Sequence, residues 1–132
     1  MELNSPHIPL GISSSEVEAI LRGLASGADI TTQEDGSLTL VHCAIKITAY
    51  ITEGVVTSVW YNDPLGRETS LGQEEKVAAY LARYGRTDAW ECRMENGWMR
   101  YWYNAKANVS MVYGIHKDVI RFNVWHPPKG VA

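Results

Sequence analysis

Ile45-Lys46-Ile47-Thr48-Ala49-Tyr50-Ile51-Thr52-Glu53-Gly54-Val55-Val56-Thr57-Ser58-Val59-Trp60-Tyr61 reads as two strands joined by a tight turn. Side chains alternate in character through Ile45–Ile51 and again through Val55–Tyr61, the period of a half-buried strand. Glu53-Gly54 supplies the turn between them, because a two-residue hairpin loop needs residues that tolerate positive φ. Alternation of this kind belongs to an antiparallel sheet covered on one face.

Working outward, the same punctuation recurs along the chain. The stretches Glu16–Asn62 and Glu75–Trp125 each open with an apolar stripe at helical spacing. The stripe is Val17, Ile20, Leu21 and Leu24 in the first, and Val77, Tyr80, Leu81 and Tyr84 in the second. Asp35-Gly36 and Asn96-Gly97 follow as turns. Each stretch closes on an alternating strand pair, the second being Val109–Ile115 and Val119–Trp125, joined by His116-Lys117-Asp118. Supersecondary repeats of this length bury their apolar faces against a neighbour. The expectation is an α+β fold in one domain, 1–132. Its antiparallel sheet comes from two tandem helix-plus-strands repeats, 9–63 and 70–126, with both helices packed on one face.

Local signals fix the element ends. Ser13 and Glu16 have the spacing of a capping box, and Ile12 and Val17 that of a hydrophobic staple. The first helix is predicted to run to about Ser26, with Gly27 as its stop. Ser37–Ala44 reads as a further strand. Asn62-Asp63-Pro64-Leu65-Gly66 breaks the chain. Ser70-x-x-Gln73 offers a second cap, and the second helix ends near Tyr84-Gly85. Trp90–Met94 and Trp98–Tyr103 flank Glu95-Asn96-Gly97, a hairpin signal.

Composition excludes several function classes. The net charge is −3, whereas a dedicated nucleic-acid binder shows a basic face. No run approaches the roughly 20 apolar residues that span a bilayer, so no membrane partner is expected. The opening Met1-Glu2-Leu3-Asn4-Ser5-Pro6 has neither the basic nor the apolar region of a signal peptide. Cys43 and Cys92 are too few for a disulfide framework and lack C-x-x-C spacing. The chain therefore reads as cytoplasmic with reduced thiols.

The segment Pro9-Leu10-Gly11-Ile12-Ser13-Ser14-Ser15-Glu16-Val17-Glu18-Ala19-Ile20-Leu21 resembles the helix opening of small outer-membrane assembly lipoproteins of the SmpA/OmlA type. The strand with its Glu53-Gly54 turn is similar too, and a tandem duplication of such a unit resembles the β-lactamase inhibitor protein family. The chain has no lipobox cysteine and no cysteine pair within each repeat, and no binding residue is carried over. The resemblance implies a fold used for binding proteins.

No catalytic constellation is visible. His42 and Cys43 are adjacent on a strand and point to opposite faces. His7, His116 and His126 are dispersed, so no metal site is expected. Gly27, Gly36 and Gly54 are turn glycines rather than a phosphate loop. No cofactor is implied, and the chain is not expected to be an enzyme.

Trp98-Met99-Arg100-Tyr101-Trp102-Tyr103 is the strongest local oddity. One strand face carries Trp98, Arg100 and Trp102; the other carries Met99, Tyr101 and Tyr103. Trp, Tyr and Arg are enriched at binding hot spots. The plainer reading packs one aromatic face on the helices and pairs the other across strands. Trp98, Arg100 and Trp102 are assigned to the exposed side, rimmed by Glu91 and Glu95. Tyr50, Trp60 and Trp125 are assigned to core or edge packing. An acidic, aromatic surface would suit a basic protein partner.

The functional expectation is a small non-catalytic protein-binding module, an inhibitor or bacterial immunity protein that occludes the active site of a toxin or enzyme. One alternative is a small-ligand binder or small enzyme with a pocket between sheet and helices, lined by Tyr80, Tyr84, Tyr101 and Tyr103. Another is a self-associating structural subunit, such as a homodimer.

Overall fold

Glu53 and Gly54 both have positive φ, 52° and 82°, the pair that a type I′ turn requires. They join β3 (Ile45–Thr52) to β4 (Val55–Pro64). The computed structural model describes residues 7–24, 27, 29–42, 45–64, 73–85, 87–96, 99–116 and 119–126. Ahead of the hairpin stand α1 (Ser14–Leu24), β1 (Asp29–Thr32) and β2 (Leu38–His42). After it come α2 (Gln73–Arg83), a 3-10 turn (Thr87–Ala89), β5 (Trp90–Glu95), β6 (Met99–Asn104), β7 (Val109–His116) and β8 (Val119–Trp125). All eight strands form one sheet, in the order β1-β2-β3-β4-β8-β7-β6-β5, and every neighbouring pair is antiparallel.

This corrects the expectation of an α+β fold made of two tandem helix-plus-strands repeats. The molecule is mostly one antiparallel sheet, and helix is a minor part of it. The strands that were to close two separate units, β4 and β8, instead pair from Ser58↔Trp125 to Pro64↔Val119 and form the middle of the sheet. No boundary separates 9–63 from 70–126, because the apolar face is continuous across that seam. The shared punctuation reflects hairpin chemistry, since Asp-Gly, Glu-Gly and Asn-Gly serve any tight antiparallel connection.

Register decides which side chains share a face. Leu40, Ile47, Tyr61, Phe122 and Tyr113 lie opposite one another in a row across five strands, and all are buried. Leu38, Ala49, Val59, Val124, Met111 and Trp102 form the parallel row beside it. Both helices bury residues in this one cluster: Val17, Leu21 and Leu24 from α1, Val77 and Tyr80 from α2, and Tyr84 just beyond it. The Tyr80 ring sits 4.3 Å from Phe122, stacked, and 5.1 Å from Tyr61. Full burial of a side chain such as Phe122 contributes about 1.5–3 kcal/mol.

The predicted cap of α1 is present. Glu16 N–H donates to Ser13 Oγ (3.2 Å) and Ser13 N–H donates to Glu16 Oε1 (3.2 Å), so two helix-end amides are satisfied reciprocally. The Ser70 half of the second proposed cap, Cys43, Trp98 and the Lys117-Asp118 turn lie outside the described residues.

A tyrosine pair ties the segment before α1 to the sheet. Ile8 N–H donates to the Tyr61 hydroxyl (2.8 Å), and the Tyr84 hydroxyl donates to the Ile8 carbonyl. The Tyr61 proton is left to bridge to Tyr84 (2.6 Å), which closes the circuit. Burial, first of all, pushes both phenols above their usual pKa. The His7 ring stands edge-on to Tyr84 at 5.2 Å, and its pKa is lowered by burial and then by Arg83.

Candidate functional site: the open face of the sheet

Strand residues that alternate with the core row point to the other side, where no described helix lies. Lys46, Thr48 and Tyr50 of β3 point there, as do Ser58, Trp60 and Asn62 of β4 and Arg121, Asn123 and Trp125 of β8. Across the seam, Trp60 faces Asn123, which faces Val112 and then Tyr101. One row along, Tyr50 faces Ser58, then Trp125, Ser110 and Tyr103. Among the described residues the sheet therefore carries five aromatic side chains on this face. Tyr50 is 43% exposed, and Trp60, Tyr101, Tyr103 and Trp125 are half-buried.

Hydrogen bonds fix two of these rings and tie the seam between β4 and β8. Ser58 Oγ donates to Asn123 Oδ1 (2.9 Å) across the β4–β8 seam. The Tyr101 hydroxyl lies 2.9 Å from Ser110 Oγ, and the Tyr103 hydroxyl donates to Asn108 Oδ1 (3.2 Å). Tyr101 and Trp125 meet at 6.1 Å between ring centres. Arg93 lies over the Tyr103 ring at 4.8 Å, a cation–π contact at the β5 edge. At the opposite end a wide-mouthed polar groove of about 660 Å³ opens on the same face, lined by Thr39, Lys46, Thr48, Tyr50 and the Gln33–Ser37 turn.

The site residues chosen from sequence fall elsewhere. Trp102 is a core residue, 8% exposed. It lies opposite Met111 and stacks on Tyr113 at 5.6 Å. Arg100 shares that helix-side face, opposite Tyr113, with its guanidinium 5.3 Å from the Tyr113 ring and 3.8 Å from Glu95. Glu95 lies opposite Arg100, whereas Glu91 lies opposite Tyr103 at the margin of the open face and pairs with Arg93 at 3.7 Å. The exposed side of β6 is therefore the one with Met99, Tyr101 and Tyr103. Parity along the strand forces this: once Met111 and Tyr113 turn inward, so does Trp102.

The alternative pocket is also corrected. Tyr80 and Tyr84 are buried among the helices, while Tyr101 and Tyr103 point to the other side of the sheet, so the four cannot line one cavity. Sequence reasoning missed the outward placement of Trp60 and Trp125, and the polar row of Lys46, Asn62 and Arg121 beside them. The signal was available in β8, where Phe122 and Val124 alternate with Arg121, Asn123 and Trp125.

Among the described residues no group of His, Cys, Asp and Glu could hold a metal ion, and no helix is long and apolar enough to cross a membrane. The chain matches no protein-family model, no curated protein and no solved structure. Nothing in this β-rich architecture or in those comparisons supports an immunity or toxin-inhibiting role, and that part of the sequence reading does not stand.

Proposed function

We propose that the chain is a small non-catalytic protein-binding module acting in the cytoplasm, and that it binds its partner on the open face of the sheet. The observation that carries this reading is the set of aromatic side chains on a face that no described element covers. Exposed patches of this kind mark interaction surfaces, and Trp and Tyr combine large contact area with low ordering cost. Hydrogen bonds to Ser110 and Asn108 hold two of the tyrosines in place, which lowers the entropy lost when a partner docks.

The test is capture of partners from source lysate by the tagged chain, compared with a Tyr50→Ser/Trp125→Ala variant and a Glu18→Ala variant on the solvent side of α1. A partner retained by Glu18→Ala and lost by the folded open-face variant agrees with the proposal. A partner lost only when α1 is altered would place the interface on the helices instead.

A further inference from the structure

Two cations at the middle of the open face indicate what docks there. In the row Val41–Lys46–Asn62–Arg121, successive residues face one another across β2, β3, β4 and β8. Lys46 and Arg121 are exposed, and neither has an ion-pair partner among the described residues. They flank Asn62 at two strand spacings, about 10 Å, a gap that two long side chains close easily. The Asn62 Oδ1 atom between them is buried without a hydrogen-bond partner among the described residues. Two exposed cations thus flank Asn62 without an ion-pair partner among the described residues, although Glu34 and Asp35 line the same groove as Lys46. The carboxylate in line with them, Asp29, stands two strands from Lys46 on the β1 edge and pairs with neither.

The acids near the aromatic strand are differently placed. Glu91 is engaged by Arg93, and Glu95 by Arg100. The unmet charge at the middle of this face is positive, with the acids Glu34 and Asp35 toward its β2–β3 end, although the chain as a whole carries −3.

We infer that the occupant of the open face is a partner-protein segment carrying Asp or Glu side chains, seated with a carboxylate between Lys46 and Arg121 and apolar residues on Trp60 and Val41. This rests on the reading of the open face as a docking surface. An Arg guanidinium suits a carboxylate geometrically, and a charge pair inside an aromatic contact gives register as well as approach rate. Val41, 42% exposed, and Trp60 supply the apolar neighbours. A nucleic acid fits less well: a phosphodiester chain needs a run of cations, and among the described residues this face offers only Lys46 and Arg121 without an ion-pair partner, with Glu34, Asp35, Glu91 and Asp29 around them.

The experiment is a fluorescence-anisotropy titration of the full chain with a short labelled peptide alternating Glu with Trp and Val. Counterparts in which Gln or Lys replaces Glu, and a labelled oligouridylate, are titrated in parallel. The Glu peptide is expected to bind at least about tenfold tighter than the Gln peptide, the scale of a hydrogen bond to a charged group. That margin should shrink with added salt. A Lys46→Glu/Arg121→Glu variant, checked for native circular dichroism, should reverse the preference toward the Lys peptide. If all three peptides bind alike and Tyr50→Ser/Tyr101→Ser weakens them together, the charge inference fails while the open-face reading survives. If no peptide binds, or binding ignores the tyrosine variant, both fail. Tighter binding of oligouridylate than of the Glu peptide would overturn the protein partner in favour of RNA. Sedimentation as a dimer that the tyrosine variant dissociates would overturn it in favour of a second copy.

Discussion

The two faces of the sheet are made from the same strands, yet they solve opposite problems. On the helix side, Tyr80, Phe122 and Tyr113 stack in series and Tyr61 packs tilted against Tyr80, each 3% exposed or less. On the open side, Tyr50, Trp60, Tyr101, Tyr103 and Trp125 are spaced by Ser58, Ser110 and Asn123, and hydrogen bonds hold Tyr101 and Tyr103. Aromatic content therefore does not mark the core of this protein. What separates the faces is the company of the rings: Phe122 and Val124 alternate on β8 with Arg121 and Asn123, and Ile47 on β3 with Lys46 and Thr48.

The sharpest way to break this comparison is a matched pair of truncations. Phe122→Ala removes a fully buried ring and should cost about 3–5 kcal/mol, read as a lowered midpoint in urea denaturation. Trp125→Ala, three residues along the same strand and on the other face, should cost much less. Equal losses would show that the open face is as much a packing surface as the helix side.

Tyr61→Phe tests how far the helix side depends on polar closure. It removes the hydroxyl that accepts from Ile8 and donates to Tyr84, leaving buried groups unsatisfied, and should cost about 1–3 kcal/mol. Hydrogen exchange at Ile8 should accelerate first. Both phenols have raised pKa values, so the native state holds its protons while unfolded tyrosines titrate near 10. Stability is then intact below pH 10 and falls as pH climbs above it. An alkaline denaturation series in which Tyr61→Phe shows a weaker pH dependence than wild type would support this; identical curves would rule it out.

The smallest effect sharpens the comparison from the other side. Tyr50→Ser alters an exposed residue without a neighbour stacked on it, and its stability should stay within about 0.5 kcal/mol of wild type. A thermal melt displaced by several degrees would mean that Tyr50 serves the fold rather than a partner.

Much of this was legible in the residues. The Glu53-Gly54 hairpin, the Ser13–Glu16 cap and the core stripe of α1 follow from local rules, and local rules suffice where contacts are near in sequence. The assembly was not legible, because the β4–β8 pairing is set by burial of a shared face and not by any turn. The site was misread for a related reason. Trp98-Met99-Arg100-Tyr101-Trp102-Tyr103 is aromatic at both parities, so β6 alone cannot say which side is wet. Its neighbours can: Ser110 and Val112 lie opposite Tyr103 and Tyr101, while Met111 lies opposite Trp102. A strand with aromatic residues on both sides takes its orientation from the strands it joins.

The seam between β4 and β8 has a consequence for synthesis. Ribosomes deliver chain vectorially, and β8 is the last described strand to emerge, yet its place is beside β4 at the middle of the sheet. Until it arrives, β4 presents a full row of unpaired amides and carbonyls next to an unsealed apolar surface, the arrangement that recruits stray strands. Nascent chains of this protein are thus at their most vulnerable until β8 has emerged, and their yield in the cell should track chaperone capacity at that moment.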